Sequence, residues 1–307
     1  MGKQILIASL ISIAILAVYY NSTQTRVDAF EEWKTKFGVS WAPEEEAYRR
    51  LIFEKNLVEY ERHNADLSQT YKVGVNQFSI YTTEEFATRF LTPMPMVGVP
   101  QGDDKYEVIG AVDWVSQGKV SGVKNQGSCG SCWAFSATGV LESWALFKGQ
   151  SVSLSEQQLV DCSRAQGNQG CNGGWPSDAL KYVQSYGITT EAAYPYVGRD
   201  QTCKTTGGAF KIAGQNSHAG CAGLSNRINS SPVSVTVDAT NWSPYRSGVF
   251  SNCAASINHA VLLVGVGSDN SWKIKNSWGT SWGESGFIRL NQGNTCGLCA
   301  YAGITPA

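Results

Sequence analysis

The stretch Gln126-Gly127-Ser128-Cys129-Gly130-Ser131-Cys132-Trp133-Ala134-Phe135 decides how the rest of the chain is read. Its glycines and serines give way at Ser131 to a helix-compatible run that continues to Lys148. Cys132 therefore falls at the start of a predicted helix. A thiol there faces unpaired backbone N–H groups and the positive end of the dipole, which favour the thiolate. That makes Cys132 a candidate nucleophile, while Cys129 reads better as half of a disulfide. The chain has 9 cysteines in 307 residues. In an exported protein an odd count leaves one thiol for chemistry or for a partner.

Export is what the N-terminus predicts. Lys3 precedes an uncharged run from Ile5 to Val18. A secretory signal core spans about 7–15 residues and a membrane span about 20, so residues 1–22 read as a signal peptide rather than an anchor. Cleavage is expected between Ala17 and Thr23. The secretory route leads to a lysosome-like compartment or to the exterior, and it makes disulfides the default reading of the cysteines. Asn229-Ser230-Ser231 and Asn241-Trp242-Ser243 are candidate glycosylation sites on that route. Hydrophobic residues make up 42% of the chain, enough for a core, and exclude wholesale disorder. A net charge of −1 offers no basic field for nucleic acid.

Charge and cysteine content divide the chain near residue 107. Residues 1–107 carry 11 Lys+Arg against 15 Asp+Glu and no cysteine. Residues 108–307 carry a net +3 and all 9 cysteines. Between them Thr92 to Gly110, with Pro93, Pro95 and Pro100, reads as an exposed linker. Upstream, Phe30, Trp33 and Phe37 mark one face of a short helix. Pro43 opens a longer one, with Glu45, Arg49, Phe53, Asn56, Tyr60 and Asn64 along a single stripe. The body has two textures. Residues 132–190 are mostly helical in pattern. Residues 208–304 are β-rich, with strands predicted at 232–237, 260–265, 272–275 and 286–290. Two halves with a cleft between them are expected.

A nucleophilic cysteine needs a base or ion-pair partner. His63 lies upstream of the cysteine-rich body, and His218 reads as part of a surface loop. His259 stands at the edge of a predicted buried strand, a rigid mount beside a cleft. Asn276 follows the next strand and is placed to accept a hydrogen bond from the imidazole, with Trp278 beside it to exclude water.

Residues 108–307 resemble the papain/cathepsin L family of cysteine peptidases. The match rests on the Cys132 segment, on His259 and Asn276 at 127 and 144 residues downstream, on Leu154 to Cys162, on Gly170-Cys171-Asn172-Gly173-Gly174, and on Trp282-Gly283. The helical stripe upstream resembles the family's inhibitory propeptide, with Tyr60 where an isoleucine is usual. Gly74, Asn76 and Phe78 resemble its second motif, with Ile80 where an aspartate is usual. The resemblance implies an α+β fold with a helical half, a β-barrel-like half and a cleft between them. It implies a signal peptide (1–22), a propeptide (23–107) and a peptidase domain (108–307).

The implied reaction is peptide hydrolysis through a thioester. Cys132 attacks, His259 moves the proton, Asn276 orients His259, and Gln126 with the Cys132 N–H holds the oxyanion. Gly174 lets an extended substrate approach. Trp175, Pro176, Thr236, Ile257, Ala260 and Tyr301 line the S2 pocket, which is apolar and shortened by Tyr301, and Trp278 borders the cleft. The resemblance pairs Cys129 with Cys171, Cys162 with Cys203 and Cys253 with Cys296. It does not account for Cys221 and Cys299, which form a fourth bridge or stay as thiols. No cofactor or metal is expected. The expected partners are protein or peptide substrates and the chain's own propeptide, the enzyme being a monomer with no stable membrane insertion after signal removal. Three other readings compete. Cys129-x-x-Cys132 has the spacing of a thiol–disulfide oxidoreductase. Cys296-x-x-Cys299 has that of a structural zinc site. An inactive relative acting as a binding protein is the third.

Overall fold

The computed structural model describes residues 29–94, 110–254 and 256–307. The expected signal segment and most of the proline-rich linker lie outside the described residues. The first helix, α1, covers residues 29–37, and α2 runs Pro43–Ala65. Proline at its start and three glutamates in its first turn suit the helix N-terminus. Phe30, Trp33 and Phe53 meet with Ile80 in an apolar cluster of their own. Ile80 thus has a packing reason to be apolar. The polar members of the stripe bind the chain that follows. Asn56 donates to the carbonyls of Ser79 and Tyr81, and Asn64 exchanges two hydrogen bonds with the backbone of Val73. Arg49 is buried and reaches Glu45, Glu85 and the Ile80 carbonyl. β1 (Tyr71–Val73) follows, and then α3 (Thr83–Phe90), which starts on a capping box between Thr82 and Glu85.

In the body, β2 (Val112–Asp113) leads to α4 (Cys132–Phe147), α5 (Glu156–Cys162) and α6 (Pro176–Tyr186). The second half holds β3 (Gln215–His218), α7 (Gly220–Ile228), β4 (Val233–Val237), β5 (Tyr245–Phe250), β6 (His259–Val266), β7 (Trp272–Lys275), β8 (Phe287–Leu290) and β9 (Gly303–Pro306). These strands form one mixed sheet in the order β1-β5-β8-β7-β6-β4-β9-β3, with β2 paired to β6. Most pairs are antiparallel, while β5 and β8 are parallel. The fold is therefore α+β, as expected. β1 extends the body's sheet, pairing antiparallel with β5.

α4 carries almost no polar face, because it is buried between the helical half and β6. Gly139 sits close to Leu262, and Ser136 Oγ donates to the Val261 carbonyl at 2.7 Å. These contacts clamp the helix bearing Cys132 against the strand bearing His259. Two expectations need correction. His218 belongs to β3, paired to β9, with its ring on Thr305 Oγ1 at 3.0 Å. The start of the linker is also not free of the body, although Pro93 is exposed. Thr92 N–H donates to the Asn258 carbonyl at 3.0 Å, Met94 N–H donates to the Ile257 carbonyl at 3.1 Å, and Met94 is buried. Backbone partners on the body hold this segment down.

Candidate active site

Cys132 is the first residue of α4, fully buried, and the free cysteine among the described residues. The N–H groups of Ala260, Trp133 and Cys132 itself favour its thiolate, but burial outweighs them and pushes the thiol up to about 11. The expectation of a lowered thiol pKa is therefore reversed in this covered state.

His259 opens β6 and is likewise fully buried. Its Nε2 lies 2.8 Å from Asn276 Oδ1. The Ser277 N–H also donates to Oδ1, at 2.8 Å, which fixes that atom as an acceptor. Nε2 must then carry the hydrogen, and in the neutral ring Nδ1 holds the lone pair. Nδ1 has no hydrogen-bond partner. Burial pushes His259 down to about 4, against the opposing hydrogen bond to Asn276. Thiol and imidazole are thus both held neutral. Trp278 stacks on the imidazole with ring centroids 4.7 Å apart and shields the His259–Asn276 bond.

Gln126 is pinned on the same segment. Its N–H donates to the Ser277 carbonyl, and its Oε1 accepts from Ser277 Oγ at 2.7 Å. That orients Nε2 toward the Cys129 carbonyl at 3.1 Å and the Phe90 carbonyl at 3.4 Å. The N-terminal part therefore presents a main-chain carbonyl to the amide that sequence reading assigned to an oxyanion. Phe78 and Phe86 meet Trp278 edge-on at 5.3 Å each, and Gln77 Nε2 donates to the Trp278 carbonyl.

Trp175, Pro176, Thr236 and Tyr301 line one open cavity of about 340 Å³, with Asp178 and Ile304 among its other walls. Ile257 and Ala260, expected in the same pocket, do not line this cavity. They pack in the apolar cluster that contains Met94 and Tyr301. A side chain on Gly174 would collide with Asn168 and Trp133, so its lack of one serves packing. The glycines that approach the cleft segment are Gly130 and Gly173, where a Cβ would lie 2.3 Å from Thr92.

Four bridges join Cys129 to Cys171, Cys162 to Cys203, Cys221 to Cys299, and Cys253 to Cys296. Both C-x-x-C alternatives are overturned. Cys129 is tied away from Cys132, and Cys296 and Cys299 have separate disulfide partners.

Sequence reading missed a buried charge cluster behind the site. Lys124 Nζ lies 2.7 Å from both Glu142 and Glu156. Burial pushes Glu156 up to about 7 against the pull of Lys124, and pushes Lys275 down to about 8. Lys124 is two residues from Gln126 and Lys275 precedes Asn276, so the cluster anchors both arms of the site. Glu156 stood inside a quoted motif, but nothing in that motif signals its partner.

The description "Papain family cysteine protease" matches residues 109–305, and "Cathepsin propeptide inhibitor domain" matches residues 30–86. The chain belongs to the papain family of cysteine proteases. It is 42% identical to "Cathepsin L 2" of Paramecium tetraurelia over 305 residues, covering 92% of this chain and 96% of that one. It is 39% identical to "Cathepsin L-like proteinase" of Fasciola hepatica, covering 90% and 92%. Digestive procathepsin L 3 of Tenebrio molitor larval midgut superposes with a TM-score of 0.83 at 38% identity, covering 92% and 99%. The protein is a cathepsin L-like cysteine peptidase made as a zymogen with its own inhibitor domain.

Proposed function

We propose that Cys132, His259, Asn276 and Gln126 carry out peptide-bond hydrolysis once the propeptide has left. The observation that carries this reading is the fixed acceptor at Asn276 Oδ1, which leaves His259 Nδ1 as the free basic nitrogen. With water readmitted, the thiol proton passes to His259 and the thiolate attacks the scissile carbonyl. Gln126 Nε2 and the Cys132 N–H receive the oxyanion, His259 protonates the leaving amine, and water hydrolyses the thioester. The enzyme acts as an endopeptidase and a monomer, with a preference for medium aliphatic residues over phenylalanine at S2. Signal cleavage near residue 22 and propeptide cleavage near Val108 release residues 108–307. Four disulfides fit the secretory route to a lysosome-like compartment or the exterior, with Asn229 and Asn241 as glycan acceptors. A thiol-directed epoxide should inactivate the processed enzyme at one equivalent, with the mass added on Cys132. Peptidase activity surviving in Cys132→Ala would overturn the assignment. N-terminal sequencing after acid incubation tests the boundary, and a start far from Val108 refutes it.

A further inference from the structure

Cys221 and Cys299 are the pair that the family resemblance did not account for, and they are joined. The bridge ties α7, which packs against β4, β6 and β9, to the chain two residues before Tyr301. Tyr301 borders the open cavity and also belongs to the apolar cluster beside it. It packs in the cluster that holds Ile257, Ala260 and Met94, and it also lines the open cavity next to Pro176 and Asp178. Its ring therefore stands between that apolar cluster and the open cavity.

Apolar packing, and no polar contact, holds that ring. The Tyr301 hydroxyl is buried without a hydrogen-bond partner. The ladder between β9 and β3 begins only at Gly303. The aromatic contact of Tyr301 is with Trp175, at 5.2 Å between centroids and across from the other half. Upstream, the chain is fastened at Cys296 and again at Cys299. A ring without a polar anchor is held by its packing and by the backbone that carries it, so a backbone shift two residues away moves the ring relative to its neighbours.

We propose that the Cys221–Cys299 bridge is a specificity-positioning device. It holds Tyr301 as the wall of S2, so that side chains longer than a medium aliphatic one are refused. This rests on the reading of that pocket as S2. The test uses the zymogen carrying Cys221→Ser and Cys299→Ser together, activated by propeptide removal. It is assayed on two peptides that differ only in valine or phenylalanine two residues before the cleaved bond.

The unaltered enzyme should favour valine about tenfold in kcat/KM, the scale on which an apolar pocket discriminates by size. In the double variant that ratio should collapse to about unity through a lower KM for the phenylalanine peptide, with kcat on the valine peptide preserved. Tyr301→Ala, which keeps all four bridges, should collapse the ratio as well, and Tyr301→Phe should retain it. If the serine pair does not accumulate, Cys221→Ala with Cys299→Val, which keeps apolar volume in place of the sulfurs, takes its place. A bridge-less enzyme with the full ratio, whatever its melting temperature, reduces the bridge to a staple and overturns the proposal. So does an unchanged ratio in Tyr301→Ala. Preference for phenylalanine in the unaltered enzyme overturns the pocket reading itself, and that result appears before any substitution is made.

Discussion

In Cys129-Gly130-Ser131-Cys132 the first cysteine is bridged to Cys171, and the second is free at the start of α4. In Cys296-Gly297-Leu298-Cys299 both are bridged, to Cys253 and Cys221. The spacing is the same and the outcome differs, because partners and backbone differ. Cys132 begins a long helix buried against β6, and its environment holds a thiol. Cys296 sits at a positive φ of 55° in a tight turn, where two bridges hold an otherwise irregular chain. Spacing between cysteines therefore says little by itself; what each side chain faces decides between nucleophile and crosslink.

The largest effect that would break this contrast is at the nucleophile. Cys132→Ser should lower kcat/KM by about 10⁵-fold or more, the scale of losing a catalytic nucleophile. Cys129→Ser should spare the chemistry and lower the melting temperature instead. The two cysteines would then be equivalent only if both variants lost activity to a similar degree. Next comes the second pair. Cys221 and Cys299 are 78 residues apart, so removing their bridge should cost about 4 kcal/mol of stability in denaturant unfolding. A loss under about 1 kcal/mol would mean that the crosslink is idle. Gln126→Ala should lower kcat by about 10²–10³-fold, about 3–4 kcal/mol, with little change in KM.

The smallest effect is linked to pH. Burial pushes His259 from its usual 6.5 to about 4 while the propeptide covers it. In a chain without the Cys132 thiol, which otherwise supplies that proton internally, the covered state then binds fewer protons than the open one between those values. Its resistance to opening is full above about pH 6.5 and falls as the pH drops toward 4, by at most about 3 kcal/mol, the limit reached when release exposes the ring fully. Propeptide release from a Cys132→Ala zymogen, followed against pH, should show this loss. His259→Gln, which cannot take the proton, should flatten it. An unchanged slope in that variant would place the acid sensitivity elsewhere.

Much of this was readable from the sequence. The helix opened by Pro43 shows its stripe, and the strands β4, β6, β7 and β8 show as β-favouring runs because they are largely buried, β4 and β6 at every position. Cys132, His259 and Asn276 stand in separate motifs whose offsets identify them together. The parts that were missed depend on distant partners. β1 and β5 are short and mixed in character, and they are set by their partners, β1 by β5 and β5 by β1 and β8. Thr92 and Met94 look like linker because their partners, the carbonyls of Asn258 and Ile257, leave no trace in side-chain pattern. The neutral state of Cys132 and His259 comes from burial among residues distant in sequence, Trp242 and Trp278 against the imidazole among them. A helix start alone pointed to the opposite direction.

All four bridges lie within residues 110–307, and none reaches the described residues 29–94. While the chain is whole, the inhibitor is tethered to its target at an effective concentration on the order of millimolar. One cut turns that unimolecular contact into a bimolecular one, governed by dilution. Nothing covalent then slows departure among the described residues, so activation becomes hard to reverse in a dilute compartment and easy to stall in a crowded one.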